Sequence, residues 1–147
     1  MLSNIGIGLL VMALCLLMQA VLLLLAGRYY TRREEYLHTP AIANALWVIG
    51  GVMIILVIGN LVQVGVWALV FQRLGEFQEY PDAYYHSAVN FATLGYGDFV
   101  MSERHRLLGP LEAINGVLMI GVSTSVLMTA FQDALRKTVE ARQQKSK

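Results

Sequence analysis

The chain has 147 residues, of which 56% are hydrophobic and only 14% are charged, and its formal net charge is +1. This composition excludes an ordinary soluble domain, which covers its surface with more charge, and it indicates a membrane protein. The balanced charge gives no sign of a nucleic-acid partner, and the single cysteine, Cys15, excludes an internal disulfide framework.

Three apolar runs are each long enough to cross a membrane as a helix, which takes about 20 residues. They are Ile5–Ala26, Ala41–Gln72 and Leu107–Gln132. The first run contains the polar residue Gln19, has no basic residue ahead of it and is followed by no small-residue cleavage site. It therefore predicts a retained transmembrane helix rather than a signal peptide, within a first segment of residues 1–40.

Basic residues are distributed unevenly, and this asymmetry predicts the orientation of the chain. Eight of the eleven Lys and Arg residues lie in the 27–40 connection or after Gln132. Because Lys and Arg favour the cytoplasmic side in short loops, both regions are predicted to be cytoplasmic and the N-terminus to lie outside. Residues 133–147 then form a short basic tail that can contact membrane lipids. The small size and absence of glycosylation sequons suit a prokaryotic inner membrane.

Aromatic residues near the ends of the runs give a second indication of the membrane boundaries. Tryptophan and tyrosine prefer the headgroup level of a bilayer. Trp67 and Phe71, near the end of the second run, are therefore expected at the outer interface, and Trp47 at the inner one.

The connection between the second and third runs contains a short apolar and aromatic segment, residues 83–92. Pro81 and Asp82 favour a helix start immediately before it. A helix of about ten residues is roughly 15 Å long, which is too short to cross the membrane. Such a segment can dip into the membrane only if it is buried in protein or lines a watery cavity, so it indicates a pore.

The segment that follows this short helix is Thr93-Leu94-Gly95-Tyr96-Gly97-Asp98, which resembles the selectivity filter of potassium channels. A dehydrated cation needs a column of oxygen atoms, so consecutive carbonyl groups must point at one axis. An ordinary strand alternates its carbonyls, whereas glycine tolerates backbone angles that other residues resist. Gly95 and Gly97 therefore permit the conformation that a filter requires.

The resemblance implies a role for each residue of this segment. Backbone oxygens of the filter would coordinate K⁺, with Thr93 adding its hydroxyl at the inner end. The filter residues are Thr93, Leu94, Gly95, Tyr96 and Gly97. By the same resemblance Tyr96 braces the filter from outside the axis, and Asp98 lies at the outer mouth, where it attracts cations.

From about Asn44 to Gln132 the chain resembles the pore module of the potassium channel family, and residues 41–132 are predicted to be a pore domain. The resemblance implies an all-α membrane protein with three transmembrane helices, a re-entrant pore helix and a filter loop. One chain supplies one filter strand, so a homotetramer around a central pore is expected. The permeant ion would be K⁺, and no other cofactor is expected.

Two glycines in the third run have two interpretations. Residues 121–125 resemble the stretch around the hinge glycine of the family, which makes Gly121, with Gly116, a candidate gating hinge. Alternatively, both glycines allow close packing of helices, as small residues do in membranes.

Three polar residues are candidates for supporting the filter, because this chain lacks the pore-helix carboxylate of some family members. Glu112 and Asn115, one turn apart in the third run, would bond to the pore helix or to the rear of the filter. A simpler interpretation places Glu112 within reach of water at the headgroups. His86 would support the filter and either sense pH or only pack and hydrogen-bond.

The leading functional hypothesis is a potassium-selective channel subunit. The alternatives are a weakly selective cation channel and a non-conducting accessory subunit with a pore-like fold. Ala92 stands where the family often has threonine, and Leu94 replaces the usual valine, which is a mild change because the carbonyl coordinates the ion. The pore helix also lacks the tryptophan pair and the carboxylate of some members, so the network behind the filter is expected to differ from theirs. No nucleophile with a base, metal-ligand cluster or phosphate loop is recognisable, so an enzyme is not expected.

Overall fold

The computed structural model describes residues 2–38 and 41–145, and every regular element in this part of the chain is helical. The elements are α1 (Leu2–Arg32), a 3₁₀ turn (Glu34–His38), α2 (Ile42–Arg73), α3 (Tyr80–Phe91) and α4 (Leu108–Lys145). Helices α1, α2 and α4 are long and apolar enough to span a membrane, whereas α3 is not. The predicted all-α membrane fold with three spanning helices and one short helix is confirmed.

The helix ends differ from the apolar runs where polar residues continue a helix. Helix α2 agrees with its run to within one residue at each end, but α1 continues to Arg32 and α4 continues to Lys145. Residues 133–145 are rich in alanine, arginine, glutamine and lysine, which all favour helix although three of the four are polar. Hydropathy therefore predicts the membrane-crossing parts but not the full lengths of the helices.

The chain forms two compact units. The first takes in the chain up to Gln19 and then Gly59–Gly121, and the second comprises Ala20–Ile58 and the chain from Val122 onward. The first unit therefore contains α3 and the proposed filter segment, together with the adjoining parts of the three long helices.

The core of the first unit lies behind α3 and contains two aromatic residues that were expected at the membrane interface. Trp67 and Phe71 are fully buried, with ring centroids 5.8 Å apart, and Phe71 contacts the ring of His86 edge-on at 5.6 Å. They lie on the same face of α2 as Val64, one turn apart, and α3 covers this face. Both rings therefore pack inside the protein, and their predicted depth at the outer interface stays a prediction.

The N-terminal part of α1, up to Gln19, packs against α4 in this first unit. A Cβ atom at Gly8 would lie 2.5 Å from Leu111 Cδ1, so the two helices are in close contact at this glycine. Buried Gln63 Nε2 donates a hydrogen bond of 2.8 Å to Gln19 Oε1. Both amides are buried and cannot hydrogen-bond to water. The bond between them compensates part of the cost of burying these polar groups.

The second unit contains a charged cluster that joins the 3₁₀ turn to α4. Lys137 Nζ lies 2.8 Å from Glu34 Oε1 and 2.6 Å from Asp133 Oδ2. Tyr30 donates a hydrogen bond of 2.8 Å to the same Asp133 oxygen. The end of α1 is thus connected to α4 by a hydrogen bond, and the 3₁₀ turn is connected to α4 by an ion pair.

Candidate ion-conduction site

Helix α3 positions the segment that follows it. Pro81 lies in its first turn, where a missing N–H costs nothing, and Asp82 complements the helix dipole. The buried face consists of Ala83, His86, Ser87, Val89 and Phe91. The helix ends at Phe91, and two backbone bonds of 2.8 Å turn the chain there, from Thr93 N to Asn90 O and from Leu94 N to Val89 O.

The segment from Thr93 to Gly97 alternates between the two senses of the backbone angle φ. Thr93, Gly95 and Gly97 have φ of 60°, 58° and 75°, and the residues between them keep negative φ. Thr93 is the one non-glycine residue with positive φ in the described chain. Positive φ costs an L-residue about 1–2 kcal/mol, so this conformation has to be imposed by its surroundings.

The side chains of this segment are largely uncovered within one chain. Leu94 is 54% exposed and Tyr96 is 67% exposed, and the segment forms no ladder with a strand. An aromatic ring and an aliphatic side chain exposed together are typical of a surface that another chain covers.

The far end of the segment is bound back to α3. Tyr85 donates a hydrogen bond of 2.8 Å to Asp98 Oδ2, and Phe99 N donates one of 3.1 Å to Asp98 Oδ1. The hydrogen bond to Asp98 raises the pKa of the Tyr85 hydroxyl, which therefore keeps its proton at neutral pH. Asp98 is thus held in place by Tyr85.

His86 is held in its neutral form by packing and hydrogen bonds. Its Nδ1 lies 3.1 Å from Phe99 O, which can only accept, so Nδ1 carries the proton and Nε2 accepts from Asn90 Nδ2 at 2.8 Å. Burial lowers the pKa of His86 below its usual value. Protonation would remove the acceptor that Asn90 uses, so this geometry favours the packing interpretation over pH sensing.

Glu112 and Asn115 are both fully buried, and the Glu112 carboxyl contacts Ser87 of α3 through Oε1. Ser87 Oγ also lies 2.8 Å from the carbonyl oxygen of Val64. The structure therefore places Glu112 against α3, buried within the protein. Ser87 and Asn90 were not predicted as site residues from the sequence. The sequence signal that could have identified them is that they are small polar residues within a mostly apolar segment.

The two glycines of α4 have different surroundings. A Cβ atom at Gly116 would overlap the carbonyl oxygen of Phe91, the last residue of α3, so Gly116 is a close-packing position. A Cβ atom at Gly121 would meet nothing within 4 Å, and Gly121 is the last residue of the first unit. These surroundings favour the packing role for Gly116, and the hinge role of Gly121 stays a prediction.

The Glu76 carboxylate binds two residues of the loop that follows residues 93–98, and we call this arrangement the carboxylate clamp. Glu76, whose side chain is 7% exposed, accepts bonds of 2.6 Å from both N and Oγ of Ser102. His105 Nδ1 lies 2.5 Å from Glu76 Oε1. Burial alone would raise the pKa of Glu76, but the donors of Ser102 and His105 outweigh it and hold the pKa below its ordinary value.

We expect Glu76→Gln to lower hydrogen-exchange protection in a peptide covering residues 99–107 by about tenfold or more, because bonds to a charged group contribute about 1.5–3 kcal/mol. Since the folded pKa is depressed, the clamp stabilises the loop above the ordinary carboxyl value of 4.5, and the stabilisation is lost as the pH falls below it. Mass spectrometry at neutral and acidic pH measures both effects.

The matched control is Glu79→Gln, because Glu79 precedes α3 and its side chain makes no capping bond. This variant should retain the protection of the wild type at neutral pH. Equal protection in the wild type and in Glu76→Gln would show that the clamp does not hold the loop.

Three helices long and apolar enough to span a membrane, with a short helix ahead of a segment of alternating backbone handedness, form the arrangement expected of a pore-loop channel. The family model described as "Ion channel" matches residues 60–133, half of the chain, and the chain belongs to this family. The matched range contains α3, residues 93–98 and most of α4.

The chain is also homologous to potassium channel subunits. It is 32% identical over 74 residues to "Potassium voltage-gated channel subfamily A member 2" of Canis lupus familiaris and of Mus musculus. It is 33% identical over 69 residues to "Potassium voltage-gated channel subfamily A member 6" of Homo sapiens. These matches cover 50% and 46% of this chain, which spans only about 15% and 13% of the relatives' length. No solved structure matches the chain.

Proposed function

We propose that the chain is a potassium-selective channel subunit and that residues 93–97 form its selectivity filter. The observation that carries this proposal is the alternation of φ at Thr93, Gly95 and Gly97. A strand with negative φ throughout alternates its carbonyls between two sides. Reversing the sign of φ at every second residue turns successive carbonyls toward one side, where they can replace the hydration shell of K⁺.

A cavity at the inner end of the filter supports the same proposal. It has a volume of about 300 Å³ and lies beside Thr93. The α4 residues that line it are Ala113, Ile114, Val117 and Leu118. Because the Thr93 hydroxyl would be the innermost filter ligand, this apolar face of α4 would line the ion pathway below it.

The proposed function includes assembly and orientation. Four copies are needed to surround one ion, and the exposed Leu94 and Tyr96 are the side chains that neighbouring copies would cover. We assign the basic end of the chain, after Gln132, to the cytoplasm and the α3 side to the outside, because Lys and Arg favour the cytoplasmic side.

The test is ion flux into liposomes that contain the purified protein, driven first by a K⁺ gradient and then by an equal Na⁺ gradient. Flux that strongly favours K⁺, with a particle mass of four chains, is the expected result. Equal K⁺ and Na⁺ flux would replace the proposal with a weakly selective cation channel. No flux in liposomes of several lipid compositions, compared with protein-free liposomes, would favour a non-conducting accessory subunit.

A further inference from the structure

The hydroxyl of Ser87 has more acceptors around it than it has protons to donate. Its Oγ is within hydrogen-bond distance of the Val64 carbonyl oxygen, at 2.8 Å, and of Glu112 Oε1. A serine hydroxyl carries one proton, and a carbonyl oxygen carries none. Two separate hydrogen bonds from this oxygen need a second proton, and the Glu112 carboxyl is the neighbouring group that can carry it.

We propose that Glu112 is a buried proton-binding site and that its neutral carboxyl donates to Ser87, which in turn donates to Val64. The relay is directional: Glu112 Oε1–H to Ser87 Oγ, then Ser87 Oγ–H to the Val64 carbonyl. It joins α4, α3 and α2 behind the filter, and Ser87 lies only six residues before Thr93. Glu112 is thus a positioning residue, and its role in conduction depends on the proposed filter function.

The surroundings of the carboxyl favour the neutral form. Glu112 is fully buried, and its second oxygen, Oε2, has no hydrogen-bond partner among the described residues. A buried carboxylate normally needs several donors or a cation, and no salt bridge in the described chain reaches Glu112. A protonated acid leaves only a carbonyl oxygen at Oε2, which is far less costly to bury than a charge.

The titratable groups facing the carboxyl do not supply a positive charge. Helix α1 contributes the thiol of Cys15, which lies beside Asn115 and Trp67. Helix α2 contributes Trp67 and the Val64 carbonyl, neither of which titrates. Helix α3 contributes the Asn90 amide, which also approaches the carboxyl and whose Nδ2 contacts the neutral His86 ring. No neighbouring positive charge compensates a Glu112 carboxylate, so the carboxyl becomes neutral by binding a proton.

Loss of this proton has a defined structural consequence. An ionised Glu112 would accept the single proton of Ser87, and the bond from Ser87 to Val64 would be lost. The Ser87–Val64 hydrogen bond between α3 and α2 would then be broken, while the Ser87–Glu112 hydrogen bond between α3 and α4 remained. Since α3 leads directly into the filter, selective flux should fall as the pH rises through the value at which Glu112 ionises.

The direct test is infrared spectroscopy of the purified full-length protein at neutral pH. Exposed carboxyls are ionised there, so a band from a protonated carboxylic acid should be present in the wild type and absent in Glu112→Gln. Glu79→Gln is the matched control and should keep the band. Ser87→Ala should retain the band but shift it to higher frequency, because the acid loses its acceptor; this variant keeps the test valid should Glu112→Gln fold poorly.

Absence of the band in the wild type, or its persistence in Glu112→Gln, would overturn the proton site. Flux across a pH series gives the second measurement: the wild type should lose K⁺ flux at alkaline pH, and Glu112→Gln should show no such loss. A protonated band without any K⁺ flux would establish the proton site and contradict the proposed function, so the two failures are distinguishable. Identical pH profiles of K⁺ flux in the two proteins would overturn the role of the proton in conduction.

Discussion

Gly95→Ala is expected to abolish K⁺-selective flux while leaving the protein folded in the membrane. Gly95 has φ of 58°, and a Cβ atom there would meet nothing within 4 Å, so the effect of the substitution is conformational rather than steric. Alanine resists positive φ by about 1–2 kcal/mol, and in a filter strand the backbone can relieve this strain by rotating one peptide unit. One carbonyl would then leave the axis, and one ring of ligands for K⁺ would be lost.

The control for this prediction is Gly75→Ala. Gly75 lies in the turn after α2, has φ of 77° and also has no atom within 4 Å of a built Cβ. The Gly75→Ala variant should have backbone strain similar to that of Gly95→Ala, but its K⁺ flux should equal that of the wild type. Liposome flux with K⁺ and Na⁺ gradients measures both variants; equal losses in both would mean that general strain, and not the filter, explains the effect.

Gly116→Ala is expected to lower both thermal stability and K⁺ flux. The new Cβ would overlap the backbone carbonyl of Phe91, which cannot move aside as a flexible side chain can, so α3 and α4 have to separate. Overpacking of this kind costs about 1–3 kcal/mol, which lowers the melting temperature of a chain of this length by several degrees. Because Phe91 lies two residues before Thr93, the displacement would also reach the filter.

A suitable control is Gly50→Ala in α2, where a Cβ atom would meet nothing within 4 Å. Alanine also has the better helix propensity, so this variant should melt at or slightly above the wild-type temperature. Thermal denaturation in detergent, followed by intrinsic tryptophan fluorescence, compares the two. A melting temperature for Gly116→Ala equal to that of the wild type would show that α3 and α4 are not packed as closely as described.

Features that depend on local sequence, such as the spanning helices and the start of α3, could be predicted. Features that depend on contacts between helices distant in sequence could not. Three apolar runs, which contain Gln19, Gln63 and Glu112, predicted three spanning helices. A run of about twenty apolar residues has the length that a helix needs to cross the membrane. The start of α3 was predicted from Pro81 and Asp82, since helix N-termini have a local signature.

The burial of Trp67 was not predicted, because it depends on α3, which is distant in sequence. For the same reason Glu112 could be assigned a bracing role but not a partner: its contact with Ser87 joins residues 25 positions apart. The filter roles of residues 93–98 and the tetramer stay predictions. They depend on neighbouring copies of the chain, which a single sequence specifies only through resemblance.

The pairing of Gln19 with Gln63 has a consequence for how the protein enters the bilayer. Each amide would be costly to leave unpaired in hydrocarbon, and interhelical bonds of this kind contribute about 0.6–2 kcal/mol. Helices α1 and α2 are therefore expected to leave the insertion machinery as a paired hairpin, before α4 arrives to complete the pore. Helix α1 would then have a role in membrane insertion: its Gln19 would keep Gln63 of α2 hydrogen-bonded until the remaining helices are inserted.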